Sequence, residues 1–191
     1  MNILPIILAA VLSNNFVLIQ FLGICPFLGV SQKVDSALGM GIAVTFVMVL
    51  TCLVTYPIYN YVLVPLGLAY LEIIVFIFVI ASLVQILEMV LKKFIPALYS
   101  SMGIYLPLIT TNCAILGVAE LVLTETLVTG LFEAVLYGLF AGVGFTLAIV
   151  LLAGLREKLD KLPLAKCLKG FPATMIASCF MAMAFYAFSL I

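Results

Sequence analysis

Cys25-Pro26-Phe27-Leu28-Gly29-Val30 recurs as Cys113-Ala114-Ile115-Leu116-Gly117-Val118. The shared pattern is C-x-x-L-G-V, displaced by 113 − 25 = 88 residues in a chain of 191. A shorter echo, Ile80-Ala81-Ser82 against Ile176-Ala177-Ser178, is made of common residue types and adds little. Each long copy sits in an apolar run and carries features that interrupt a helix. Pro26 lacks a backbone donor and disfavours helix at the residue before it. Gly29 and Gly117 weaken the helix a few residues on. Asn14, Asn15 and Gln20 precede the first copy, and Pro107, Thr110, Thr111 and Asn112 precede the second. A broken helix is tolerated in a bilayer only where its freed polar groups line a protein-buried site. The pattern therefore predicts a half-helix starting at each cysteine, with Pro26 at the first helical position of one. Free amides and the positive dipole end would point inward, where they stabilise an anion.

The rest of the chain reads as membrane. Hydrophobic residues make up 67% and charged residues 8%, against about a quarter charged in a soluble domain. Six stretches are long and apolar enough to span a bilayer, which takes about 20 residues of helix. They run from Ile3 to Leu28, Ala37 to Tyr61, Leu66 to Leu91, Ala97 to Val118, Leu127 to Leu155 and Phe171 to Ile191. Met1 to Ile7 lacks the basic start of a signal peptide and is read as the beginning of the first helix. The repeat places one cysteine in span one and the other in span four, so residues 1–94 and 95–191 form two three-helix halves. Three is odd, so the second half crosses in the opposite sense. The expected fold class is an all-α integral membrane protein of six transmembrane helices. It is built as two inverted three-helix repeats, with interrupted helices one and four meeting at mid-membrane. Gly39-x-Gly41 and Gly138-x-x-x-Gly142-x-Gly144 are read as sites of close helix packing.

Charge orients the spans. Lys33 follows span one, Lys92 and Lys93 follow span three, and Arg156, Lys158, Lys161, Lys166 and Lys169 follow span five. The connections after spans two and four hold no basic residue, and the latter carries Glu120 and Glu125. Basic loops face the cytoplasm, so both termini are expected on the outer side. Eight basic and eight acidic residues cancel. With no basic excess, a nucleic-acid partner is not expected.

The chain has no histidine, which excludes a histidine-ligated haem or zinc site and a histidine proton relay. Its five cysteines, Cys25, Cys52, Cys113, Cys167 and Cys179, form no C-x-x-C pair. Two thiolates cannot complete an iron–sulfur cluster, which takes four. If Cys25 and Cys113 bind one, a second chain supplies the other pair. The bland reading is that both are small buried hydrophobes, and the residues alone leave it open. Cys52, Cys167 and Cys179 lack repeat partners and are read as packing or free thiols. Among membrane carboxylates, Glu72 and Glu88 fall near the ends of span three, and Glu133 falls just inside span five. Glu133 and Glu88 are the candidates for an ion pathway, although Glu88 can also pair with Lys92 at i, i+4.

Asn14-Asn15-Phe16-Val17, the run Phe21 to Val30 and the run Leu106 to Val118 resemble one known family. The resemblance is to the A subunits of Rnf complexes, ion-translocating ferredoxin:NAD⁺ oxidoreductases. That family is similar to the D and E subunits of the sodium-pumping NADH:quinone reductase. The resemblance covers essentially the whole chain. It implies a bacterial or archaeal cytoplasmic membrane, surrounding lipid, and the B, C, D, E and G subunits as partners. It also implies one [2Fe-2S] cluster at mid-membrane, held by Cys25 and Cys113 with two cysteines of a homologous, inverted E subunit. Electrons from ferredoxin would cross this cluster on a route that ends at NAD⁺, coupled to export of Na⁺ or H⁺. Two other readings stand beside it: a secondary transporter, which inverted repeats and broken helices suit equally, and a structural membrane subunit without a cofactor.

Overall fold

Hydrocarbon offers no hydrogen bonds, so a backbone that crosses it must bond to itself, and helices do so locally. The computed structural model describes residues 15–31, 33–67, 69–94, 106–124, 130–161 and 170–189, and all regular structure among them is helical. Seven α-helices carry the architecture: α1 (Ile24–Val30), α2 (Val34–Ile58), α3 (Glu72–Phe94), α4 (Leu106–Thr110), α5 (Cys113–Thr124), α6 (Leu131–Leu159) and α7 (Phe171–Ser189). Three helical stretches among the described residues are long and apolar enough to cross a membrane: Val34–Leu63, Glu72–Met89 and Leu131–Leu159. Leu108–Thr124 and Phe171–Ala187 are apolar but shorter.

The core is the crossing of α2 and α6. Ala37, Met40, Val44, Met48 and Cys52 line the buried face of α2, and Ala134, Tyr137, Ala141, Phe145, Ala148 and Leu152 line that of α6. Their three- and four-residue spacing is that of one helix face. Glycines set how close the axes come. A Cβ on Gly41 would lie 2.6 Å from Thr146 Oγ1, and one on Gly142 would lie 2.7 Å from Thr45 Oγ1. The contact is reciprocal, Gly-x-x-x-Thr against Gly-x-x-x-Thr. Each threonine hydroxyl donates to the carbonyl of the glycine one turn earlier in its own helix, at 2.7 Å in α2 and 2.9 Å in α6. The two hydroxyl oxygens lie 3.4 Å apart. One turn further along the seam, Gly138 receives Cys52 Sγ, 2.7 Å from where a Cβ would stand. Cys52 is 1% exposed and is a core residue.

Several expected boundaries move. Residues 3–14 of span one, 97–105 of span four, 127–129 of span five and 190–191 of span six lie outside the described residues. Residues 15–23 of span one are turns, and helix begins only at Ile24. Span two does not stop at Tyr61. It runs through Pro57, widens into a π turn at Tyr59–Leu63 and ends after Val64–Leu66, where Gly67 takes the left-handed conformation (φ 66) that closes a helix. The π turn follows the proline, where a missing donor loosens the ladder. Span three starts at Glu72 rather than Leu66, so Glu72 occupies the first turn, where the dipole favours an anion. Span four does not end at Val118. It continues to Thr124, so Glu120 is a helical residue and not part of a connection.

Candidate functional site

Both cysteine motifs begin short helices, and the breaks before them have visible causes. In the second motif α4 ends at Thr110, and Thr111 and Asn112 leave the helix. Asn112 Oδ1 accepts from the Ala114 amide at 3.1 Å. This side-chain cap satisfies a first-turn donor of α5. Cys113 is the first residue of α5. In the first motif Cys25 is the second residue of α1 and Pro26 the third, so the proline stands inside the first turn rather than at its start. The residue before the helix is Gly23, at φ 76, a left-handed conformation that L side chains avoid.

Residues 15–23 are pinned to the rest of the chain at four points. Asn15 Nδ2 donates to the Gly144 carbonyl of α6 at 3.2 Å, while its Oδ1 accepts from the Val17 amide at 3.2 Å. Phe16 stacks on Phe145 with ring centroids 6.3 Å apart. Leu22 fills the notch over Gly117, where a Cβ would collide with its Cδ1. The Gly23 N–H donates to Cys113 Sγ at 3.0 Å. Gly23 fits because it has no side chain: a Cβ there would stand 2.8 Å from Ala114 Cβ and 3.1 Å from Asn112 Oδ1.

The two motifs thus cross, which brings the cysteines together. Cys25 lies two residues beyond Gly23, so its Cα is within roughly 12 Å of Cys113. Both thiols are exposed, in contrast to Cys52. Beside Cys113 lies a hollow of about 320 Å³, lined by Gln20, Leu22, Gly117, Glu120 and Thr124 among others. Glu120 is the residue sequence reading missed. Its i+7 spacing from Cys113 puts it on the same helix face, but without the full length of α5 it reads as a loop charge. Asn112 is 5% exposed, and its Nδ2 has no hydrogen-bond partner among the described residues.

Depth can be read along the helices. Arg156, near the basic end of α6, donates through Nη1 to the Leu28 carbonyl at 3.1 Å and reaches Ser31 Oγ at 3.5 Å. It therefore caps the C-terminal end of α1 with a cation. Gly144 lies 156 − 144 = 12 residues further back along α6, about 18 Å. Asn15 is bonded to Gly144 and Phe16 stacks on Phe145, at this far end of the interval.

The candidate carboxylates stand on other helices than the two cysteines. Glu133 occupies the first turn of α6. Glu88 lies in α3 one turn before Lys92. Neither lines the hollow beside Cys113. Among the described residues no three ligating side chains of the His, Cys, Asp and Glu kind gather into a complete metal site. Cys179 is exposed on α7, against a cavity of about 680 Å³ shared with Phe21 and Ile24. Cys167 lies outside the described residues.

Known proteins share this outline. The sequence profile described as "Rnf-Nqr subunit, membrane protein" matches residues 3–191. The A subunit of the Na(+)-translocating ferredoxin:NAD(+) oxidoreductase complex of Acetobacterium woodii is 51% identical over 189 residues, 99% of this chain and 97% of its own. The A subunit of the ion-translocating oxidoreductase complex of Syntrophotalea carbinolica is 50% identical over 188 residues, 98% of this chain and 96% of its own. Its counterpart in an Azoarcus species is 50% identical over 186 residues, 97% and 95% of the two chains. Full-length identity at this level, together with the profile match, shows that the chain belongs to the Rnf-Nqr family of membrane subunits.

Proposed function

We propose that this chain is the A-type membrane subunit of an ion-translocating ferredoxin:NAD⁺ oxidoreductase, with Cys25 and Cys113 giving two of the four thiolates of a [2Fe-2S] cluster. A homologous subunit of opposite orientation gives the other two. The observation that supports this reading is that two exposed cysteines lie where the two broken-helix motifs cross. Cys52 is covered in the core, and Cys179, also exposed, has no second cysteine motif beside it.

The residues present fit half of such a site. Two soft thiolates suit iron. The buried Asn112 Nδ2 is a donor still without an acceptor next to Cys113, and an anionic sulfide would supply one. Held by Cys25 and Cys113 from this chain, a bound cluster would supply one-electron transfer. This chain's own work is to hold the thiols and to aim donors at them. Asn15 and Phe16 fix the loop to α6, Leu22 locks it over Gly117, and Arg156 anchors the far end of α1.

The reciprocal Gly41–Thr146 and Thr45–Gly142 contacts support the inverted-repeat arrangement. Two equivalent helices that cross about a local twofold axis make such mirrored contacts. The B, C, D, E and G subunits complete the complex, and electron flow is coupled to export of Na⁺ or H⁺. Glu133 and Glu88 remain the acids assigned to the ion path. Replacing each by Gln is expected to lower ion transport and leave the cluster signal intact.

The test is iron content and low-temperature EPR of the purified complex, wild type against Cys25→Ser and Cys113→Ser. Loss of one two-iron signal in each variant, with the complex still assembled, is the expected result. Iron and spectrum surviving both changes would make the cysteines packing residues and return the chain to a transporter or scaffold role.

A further inference from the structure

We propose that the backbone amide of Gly23 is a positioning and tuning group for Cys113: it donates to the thiolate sulfur from the opposite motif and raises the potential of the bound cluster. The inference rests on the cluster reading above and adds a residue with its own role.

Gly23 serves both motifs at once. Its carbonyl accepts from the Phe27 amide at 3.3 Å, the first hydrogen bond of α1. Its amide points the other way and donates to Cys113 Sγ at 3.0 Å. The residue is buried, and as the residue before a helix it has no intrahelical acceptor. In a bilayer an orphan amide costs several kcal/mol, so the sulfur is a required partner. The same bond therefore closes the backbone accounting of the first motif and fixes the ligand of the second.

Glycine is required here on two independent grounds. The left-handed φ of 76 strains any other residue, and the space for a Cβ is already filled by Ala114 Cβ at 2.8 Å and Asn112 Oδ1 at 3.1 Å. An alanine would have to push the loop away from α5, along the direction that lengthens the N–H···S bond. Hydrogen bonds to ligand sulfur favour the more negative, reduced state of an iron–sulfur centre. Weakening this bond lowers the potential.

The experiment is a redox titration of the purified complex followed by EPR, in wild type, Gly23→Ala and the double variant Gly23→Ala with Ala114→Gly. The expected result for Gly23→Ala is a retained two-iron signal whose midpoint falls by about tenfold in the reduction equilibrium, or about 59 mV for one electron. The double variant removes the nearest obstructing methyl and is expected to recover part of that fall. A midpoint unchanged in Gly23→Ala overturns the proposal. Should Gly23→Ala fail to assemble, wild-type complex grown on ¹⁵N-glycine decides. A ¹⁵N coupling on the reduced cluster supports the amide bond, and its absence overturns it. A wild-type complex with no two-iron signal overturns the underlying cluster reading instead, and is seen before any variant is compared.

Discussion

Arg156 shows how one side chain can hold a helix too short to hold itself. Seven residues of α1 leave most of their carbonyls without intrahelical donors, and the guanidinium takes one of them, Leu28, and the Ser31 hydroxyl. A charge-assisted bond of this kind is worth about 1.5–3 kcal/mol. Arg156→Leu is expected to lower the melting temperature of the purified complex, and Arg156→Lys to lower it less, because the lysine keeps the cation but not the fork. Equal melting of all three proteins would show that α1 needs no cap. At the same scale, Gly117→Ala should loosen the grip of Leu22, and Leu22→Ala in the same chain should return much of the loss. Contacting residues couple in this way, whereas distant ones add. The cysteines themselves were legible in the sequence because their motif repeats. Gly23 was not: its importance comes from a sulfur 90 positions away, and no local pattern reports that.

Helix pairs raise a different question, which glycines matter. Gly142 and Gly39 look alike in sequence, each in a small-residue pair on an apolar helix. The structure separates them. A Cβ on Gly142 would meet Thr45 Cα at 2.8 Å, whereas Gly39 has nothing within 4 Å. Backbone atoms cannot swing aside, so Gly142→Ala is expected to destabilise the complex by about 1–3 kcal/mol through overpacking. Gly39→Ala is expected to be neutral or to stabilise by up to about 1 kcal/mol through helix propensity. Thermal melts of the two variants read the difference, and a Gly39 variant as damaged as the Gly142 one would refute the packing argument. The sequence marked Gly39-x-Gly41 and Gly138-x-x-x-Gly142-x-Gly144 as sites of close packing. It did not show that these two helices are partners, or that Thr45 and Thr146 fill the glycine notches, because a threonine on an apolar helix carries no mark of which neighbour it faces. Helix ends were the other loss. Span two was expected to end at Tyr61, but a π turn carries it further, and Glu120, expected in a connection, is an exposed residue of α5.

Across the whole molecule the positions of charge and of the paired helices make one geometric demand. Lys33 precedes α2, Lys92 and Lys93 end α3, and Arg156 and Lys158 end α6. Gly67 closes the helical stretch that α2 begins, and Gly130 precedes α6. If the basic ends share the cytoplasmic face, α2 runs outward and α6 runs inward, so the two cross antiparallel, as equivalent helices of inverted halves must. The Thr45–Thr146 contact then falls about 18 Å from Lys33 and about 15 Å from Arg156 along the respective helices. In that orientation both values put the crossing near the centre of a core of about 30 Å. Single cysteines at Lys33 and Lys92 are therefore expected to react with a membrane-impermeant maleimide only from the cytoplasmic side of sealed vesicles. Cysteines at Gly67 and Gly130 should react only from the outer side. Labelling of Lys33→Cys and Gly67→Cys from the same side would remove the inversion, and with it the reason for two half-sites to meet at mid-membrane.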